Sequence, residues 1–169
     1  FLFSLINFKN YFQSLSLLNK DEALNQYYIP PKDTAGNDIE KEVTRWIDGN
    51  SNQPLAFLAG YGMGKSSLAK HLASTLAPKF MEGHFSRIPV YIKLGDLFNQ
   101  QDVTSLIITY FASEHQIGGM SPILFREMNK LGLLLIIFDG FDEMKHGMTE
   151  RDFKRIFTEL KKLVDGDSR

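Results

Sequence analysis

The chain has no cysteine, few histidines and almost no net charge. Without cysteine it can form neither disulfides nor cysteine-based zinc sites, and a reducing compartment such as the cytoplasm is expected. The four histidines are scattered along the chain without the spacing of a metal site. A formal net charge of −1 gives no bulk attraction to nucleic acid, so no direct nucleic acid binding is expected.

Long hydrophobic runs are also absent. The apolar opening, residues 1–8, is far too short to span a bilayer, so we expect no transmembrane segment within this chain. The chain starts at Phe1 without a basic-then-apolar leader, and we expect it to be a piece of a longer polypeptide. Its 169 residues suit one domain with a substantial core.

A glycine-rich stretch at residues 55–68 is the first indication of function. Residues 55–59 are apolar and predict a strand, and a helical pattern begins near Lys65. A loop that turns its N–H groups around a phosphate needs backbone dihedrals that a Cβ resists. Three glycines at alternate positions meet this need, namely Gly60, Gly62 and Gly64.

The residues after these glycines fit the same chemistry. Lys65 would reach the β- and γ-phosphates, Ser66 would offer a hydroxyl to Mg²⁺, and the start of the helix would point its positive end at the anion. The residues expected to bind the phosphates are Ala59, Gly60, Tyr61, Gly62, Met63, Gly64, Lys65, Ser66 and Ser67.

One position departs from the strict phosphate-loop pattern. The pattern begins with glycine, and here that position is Ala59. An alternative interpretation of the stretch is therefore a glycine-rich turn before an ordinary helix. A second site has to decide between the two.

That second site is an apolar strand followed by acids. Residues 133–138 are apolar without alternation, which predicts a strand buried on both faces of a parallel sheet. Asp139 ends this strand, at the sheet edge where α/β proteins bind ligands, and can share Mg²⁺ with Ser66. Asp142 and Glu143 are placed to orient or deprotonate a water. The alternative is a solvated acidic turn that caps the next helix.

Together these features resemble the NACHT family of signal-transduction ATPases, in the STAND class. The sequence Asp-Gly-Phe-Asp-Glu at residues 139–143 follows an apolar strand and has a small residue, Gly140, directly after the first acid, as this family does. Residues 89–97 resemble the family's second strand and following helix. The resemblance extends from about residue 28 to the end of the chain, and the Ala59 departure affects the entry to the loop.

The resemblance implies a fold, a cofactor set and partners. The fold is a three-layer α-β-α P-loop NTPase fold with a mainly parallel sheet, with residues 1–36 leading into a NACHT domain at 37–169. ATP or ADP with Mg²⁺ would bind, and nucleotide state would act on flanking effector and sensor domains and on a nucleotide-dependent oligomer. Innate immunity or antiviral defence is the implied setting. In the family the entering segment passes near the adenine, so Tyr28, Ile29 and Pro30 are base contacts or a rigid linker.

Periodicity places the other elements. It predicts a helix from Leu5 to Leu15, a helix between an Asn37 cap and Gly49, and a strand at residues 88–94 near a sheet edge. Further helices are predicted by apolar stripes that begin near Val103, Ser121 and Thr149.

The family's strand order adds one further expectation. A fourth strand, after the acidic one, separates the two motif strands in the family, and this chain ends at residues 164–169, just before such a strand would begin. The domain would then be cut before its fourth core strand, so residues 55–59 would lack a neighbour and a gap would separate the motifs.

Two other functions stay open at this point. One is an interaction scaffold whose nucleotide site is vestigial, although the presence of Lys65, Ser66, Asp139 and Glu143 argues against it. The other is a small-molecule phosphotransferase on the same loop. Such kinases usually have an arginine-rich lid, and the arginines after Glu143 are spread along or beyond a helix.

Overall fold

The protein is described by a computed structural model at residues 8–18, 28–49, 53–94, 103–114, 117, 120–146 and 148–165. Within these residues the chain forms seven helices and two strands. The elements in chain order are α1 (Lys9–Leu17), α2 (Ile39–Asp48), α3 (Lys65–Met81), β1 (Ile88–Lys93), α4 (Val103–Glu114), α5 (Pro122–Lys130), β2 (Leu134–Asp139), α6 (Phe141–His146) and α7 (Glu150–Asp165).

The two strands form a parallel sheet. Their register runs from Ile88 opposite Leu134 to Lys93 opposite Asp139. Parallel strands need a long crossover between them, and α4 and α5 provide it. The α/β fold class and the acidic strand that ends at Asp139 are therefore as the sequence predicts.

The prediction of a strand at residues 55–59, which all lie in the described part of the chain, is wrong. Residues 54–60 form no strand there, and Leu58 is 94% exposed. A strand is defined by a ladder of hydrogen bonds to a neighbour, and neither described strand pairs with this segment. An apolar run therefore predicts a strand only where a partner strand is present.

The main core surrounds the sheet and includes α1. Tyr11, Phe12 and Leu15 of α1 are buried, and Tyr11 makes an edge-to-face ring contact with Phe111 of α4 at 5.2 Å. The predicted amphipathic helix at the start of the chain is therefore confirmed over its described residues. Phe8, the residue before α1, is buried in the same core.

A second cluster of apolar residues lies between α2 and β2. Val43 and Ile47 of α2 are buried with Leu135 of β2, and Leu72 and Leu76 of α3 are half-buried against them. These two leucines of α3 thus contact α2 and the sheet. These contacts fix the helix that follows the glycine-rich loop.

The N-cap of α2 lies one residue after the predicted one. Asp38 is the N-cap, and its side chain accepts a hydrogen bond from the N–H of Lys41 at 3.2 Å. Asn37 instead donates from its side-chain amide to Asp33 at 2.8 Å. Both residue types can cap a helix, so composition alone does not distinguish them. Gly49 ends the helix as predicted.

The helix starts predicted near Ser121 and Thr149 are confirmed, and each of these residues caps its helix. The Ser121 hydroxyl accepts from the N–H of Leu124 at 3.1 Å, and the Thr149 hydroxyl accepts from the N–H of Asp152 at 3.2 Å. On the predicted apolar stripe of α7, however, Phe157 is 53% exposed.

Some predicted features lie outside the described residues: Leu5, residues 95–97 and residues 166–169. Among the helices that are described, none combines the length and hydropathy needed to cross a bilayer.

Candidate phosphate and metal site

The glycine-rich loop makes a tight turn into α3. Gly62 has a φ of 73° and Gly64, the N-cap of α3, has a φ of 82°. Residues with a Cβ rarely adopt these left-handed values, so glycine is required at both positions. Gly60 lies outside the left-handed region, so the expectation of special dihedrals is wrong there. Tyr61 is fully exposed at the tip of the loop.

The first turn of α3 faces this loop with its backbone N–H groups. No described side chain caps the helix at Gly64. The first N–H groups of a helix have no partner within it, and they carry the positive end of the helix dipole. Since Lys65, Ser66 and Ser67 occupy this turn, an anion held here would meet both N–H donors and a cation.

Lys65 folds back over the loop. Its Nζ donates to the carbonyl oxygens of Ala59 at 2.9 Å and Gly60 at 3.0 Å. It also lies 3.2 Å from Oδ2 of Asp142, the second residue of α6. The lysine thus links the loop that precedes α3 to the acidic segment that follows β2.

The ion pair has an electrostatic consequence. The hydrogen bond from Lys65 holds the pKa of Asp142 below its usual range, so this carboxylate stays charged to lower pH than a free aspartate does. The Asp142 side chain is 57% exposed, and an exposed pair of this kind contributes little to stability. It does, however, fix where the lysine cation lies.

Ser66 meets the acid at the end of β2 directly. Its Oγ donates to Oδ1 of Asp139 at 2.8 Å, although the two residues are 73 positions apart. Residues 55–59 pair with no described strand, as expected, but the expected gap between the two motifs is not found, because the helix α3, rather than the strand before the loop, carries Ser66 to the carboxylate. Asp139 is only 7% exposed.

This pair of side chains suits a hard cation such as Mg²⁺. Magnesium prefers oxygen ligands and usually takes one or two protein groups together with phosphate oxygens and water. A hydroxyl and a carboxylate in contact, under a loop built to meet an anion, give that donor set. The second oxygen of Asp139 accepts a hydrogen bond from the Tyr91 hydroxyl at 2.8 Å, a partner that the sequence analysis missed.

The acids of α6 differ in their surroundings. The chain turns sharply after β2 at Gly140, which has a φ of 80°, and α6 then begins at Phe141. Asp142 turns toward Lys65, and Glu143 is exposed beside it in the first turn of the same helix. The small residue after Asp139 therefore has a structural reason, since only glycine adopts this turn readily.

Of the three residues predicted as base contacts, Tyr28 packs against α3, whereas Ile29 and Pro30 do not share its burial. The Tyr28 ring stacks on His71 of α3, with ring centroids 4.1 Å apart and an interplanar angle of 13°. The Tyr28 hydroxyl donates to Glu40 of α2, and Nε2 of His71 lies 3.4 Å from the same carboxylate. Burial, followed by the Glu40 hydrogen bond, raises the pKa of Tyr28. Ile29 and Pro30 are exposed.

The sequence offered no signal for this second cluster. His71 and Glu40 come from different helices, and nothing in their spacing indicates that a tyrosine joins them. His71 follows Lys65 on the same helix by six residues, about 9 Å along its axis.

Comparison with known proteins identifies the family. The NACHT domain model matches residues 55–168, more than half of the chain. The chain belongs to the NACHT family. NACHT domains are nucleotide-binding NTPase modules that generally use nucleotide together with Mg²⁺, and the matched range contains both the loop and the acidic segment.

A curated relative matches most of this chain within a much longer protein. This chain is 29% identical over 131 residues to an uncharacterised WD repeat-containing protein of Nostoc sp.. The match covers 75% of this chain and 8% of the relative, so the chain spans a small part of that protein's length. No solved structure matches the chain significantly.

Proposed function

We propose that this NACHT module binds ATP or ADP with Mg²⁺ at residues 59–67 and hydrolyses ATP in the full-length protein. The observation that supports the proposal is the 2.8 Å hydrogen bond between Ser66 and Asp139. It brings the hydroxyl of a phosphate-type loop to a carboxylate at the end of a parallel strand. Neither a plain glycine-rich turn nor a solvated acidic turn accounts for this contact.

In this proposal the loop and Lys65 bind the phosphates. The N–H groups of residues 60–67, apart from that of Met63, which donates to the carbonyl of Gly60, would donate to phosphate oxygens, and Lys65 would supply the positive charge. Nucleotide binding requires Lys65 to exchange its contact with Asp142 for a phosphate, since the amine now donates to protein oxygens.

Ser66 and Asp139 would hold the metal. The hydrogen bond between them would have to open to free the Ser66 oxygen and the Asp139 carboxylate as ligands. Mg²⁺, when bound, neutralises charge on the phosphates.

Glu143 is assigned as the residue that orients or deprotonates the attacking water. Asp142 is already paired with Lys65, which lowers its pKa and makes it a weaker base. Glu143 is exposed in the same turn of α6. Asp142 is the alternative base if nucleotide binding releases it from Lys65.

The adenine is assigned to the side of α3 where Tyr28 stacks on His71. Tyr28 offers an aromatic surface for a base, and Ile29 and Pro30 are the exposed residues that follow it. Tyr28 is half-buried, and the His71 on which it stacks lies on the same helix as Lys65.

The module is proposed to act as a nucleotide-dependent switch between flanking effector and sensor domains. The WD repeats named in the Nostoc relative indicate the kind of domain that could serve as a sensor. The setting is signalling or defence, with a cytoplasmic location and an oligomer that depends on nucleotide state.

A thermal-shift experiment tests the binding part of the proposal. A ligand that binds the folded state at about a hundred times its Kd stabilises it by about 2.7 kcal/mol. ATP and ADP with Mg²⁺ should therefore raise the unfolding temperature by several degrees, whereas AMP should not, because it lacks the β-phosphate that Lys65 binds.

The matched variants are Lys65→Ala and Lys70→Ala, two lysines of the same helix. The first should reduce the shift to about half or less, and the second should retain it. A shift of equal size with AMP, or in Lys65→Ala, would show that ligands stabilise the protein elsewhere and would overturn the proposal.

A further inference from the structure

The Asp139 carboxylate is held at both oxygens. Oδ1 accepts a hydrogen bond from Ser66 and Oδ2 accepts one from the Tyr91 hydroxyl, each at 2.8 Å. Tyr91 is 4% exposed and Asp139 is 7% exposed, so little water competes for the second bond. Hydrogen bonds to a charged group in such surroundings are among the stronger ones in proteins.

The register of the sheet explains why Tyr91 reaches this acid. Tyr91 lies opposite Ile137, two residues before Asp139. Residues two apart on a strand point to the same face, so the side chains of Tyr91 and Asp139 share one face of the sheet. The contact is therefore set by paired strands rather than by a flexible loop.

Helix α1 fixes the other edge of the same strand. The hydroxyl of Tyr11 accepts from the N–H of Tyr91 at 3.0 Å and donates to the carbonyl of Pro89 at 3.2 Å. Tyr11 is fully buried, and burial raises its pKa, so it retains the proton that it donates. This side chain therefore satisfies two backbone groups that a neighbouring strand would otherwise bond.

We propose that Tyr91 is a positioning residue for the metal-binding carboxylate of Asp139, and that Tyr11 fixes the strand from which Tyr91 acts. The inference rests on the proposed function, in which Asp139 serves Mg²⁺. By holding Oδ2, Tyr91 keeps Oδ1 directed at Ser66, where the metal binds. Two hydroxyl groups thus connect the metal site to the helix that precedes the nucleotide-binding segment.

The test separates metal coupling from stability. ADP affinity is measured by calorimetry in Mg²⁺ and in EDTA, and the ratio of the two dissociation constants reports the coupling between metal and nucleotide. Partners that orient a metal ligand typically matter by tenfold or more, so Tyr91→Phe should reduce the ratio roughly tenfold. Its affinity in EDTA should remain at the wild-type value.

Ile92→Val provides a control in the same strand. Ile92 is fully buried, so the change should lower the unfolding temperature without altering the ratio. If Tyr91→Phe leaves the ratio unchanged, or if Ile92→Val reduces it equally, the positioning role is overturned. If the wild-type affinity is the same in Mg²⁺ and EDTA, the proposed metal site itself is contradicted, and the inference with it.

Tyr11→Phe tests whether Tyr11 acts on the metal site through Tyr91. It should reduce the ratio by less than Tyr91→Phe does, and the double variant should resemble Tyr91→Phe alone, because both hydroxyls act through the same carboxylate. Fully additive losses would show that Tyr11 acts independently of Tyr91 and would overturn this link. The affinity for Mn²⁺, measured by electron paramagnetic resonance without any turnover, should fall in the same order across the variants.

Discussion

Lys65 and Asp142 form an ion pair, with Nζ of the lysine 3.2 Å from Oδ2 of the aspartate. The loop and the acidic segment are thus joined through the side chain that is expected to bind phosphate. Two loop carbonyls accept from the same amine. In this arrangement the acid competes with a nucleotide for the lysine.

Removing that competition should strengthen nucleotide binding. Since an exposed pair contributes at most about 1 kcal/mol, Asp142→Asn should raise the affinity for ADP roughly two- to fivefold. Asp48→Asn, at the exposed end of α2, makes the same change of charge outside the site and should have no effect. A fluorescent-nucleotide titration measures both variants. Weaker binding by Asp142→Asn would show that the acid supports the ligand instead.

Glu143→Gln should separate binding from hydrolysis. Loss of a general base typically slows a reaction by a factor of about 10² to 10⁴, whereas the exposed Glu143 has no assigned role in holding nucleotide. Single-turnover ATP hydrolysis in the full-length protein is the measurement, with Glu127→Gln on α5 as the control. Normal hydrolysis by Glu143→Gln, together with a loss in Asp142→Asn, would assign the base to Asp142.

The Asp142 carboxylate should titrate below its usual range because of Lys65. The ion pair is present above the ordinary pKa of an aspartate and is lost as the pH falls through the lowered value. A carboxyl-carbon NMR titration should show the pKa of Asp142 rising toward its ordinary value in Lys65→Ala. Saturating ADP should have the same effect, because phosphate takes the lysine. A pKa that neither change moves would contradict the pairing.

Tyr28→Ala tests the assignment of the adenine. ATP affinity should fall, because stacking a base on an aromatic ring contributes about 1–3 kcal/mol. Inorganic triphosphate has no base, so its affinity should be the same in the variant and the wild type. Equal losses for both ligands would mean that Tyr28 supports the fold of α3 rather than the base.

Much of the site could be predicted from residue types in sequence. The pairing of Ser66 with Asp139 follows from a phosphate loop and an acid at the end of a parallel strand, and the structure brings these two residues together. The same reasoning failed for residues 55–59, because strand formation depends on a neighbour and not on apolar residues alone.

The contacts that the sequence did not indicate join distant segments. The Tyr11 hydroxyl bonds the backbone of Tyr91, 80 positions away. Nothing in the sequence of either segment indicates that a tyrosine hydroxyl bonds the backbone groups at the edge of this strand. The direction of Asp142 toward Lys65 likewise depends on the turn at Gly140, which only the backbone geometry defines. Such contacts follow from packing rather than from local pattern.

Calorimetry of ATP binding in Mg²⁺, to the wild type and to Lys65→Ala, tests the central claim most directly. Hydrogen bonds to charged groups contribute about 1.5–3 kcal/mol, so the variant should bind roughly 10- to 150-fold more weakly, or below detection. Lys70→Ala, on the same helix, should bind as the wild type does. Equal affinity of the wild type and Lys65→Ala would contradict the assignment of residues 59–67 as the nucleotide site.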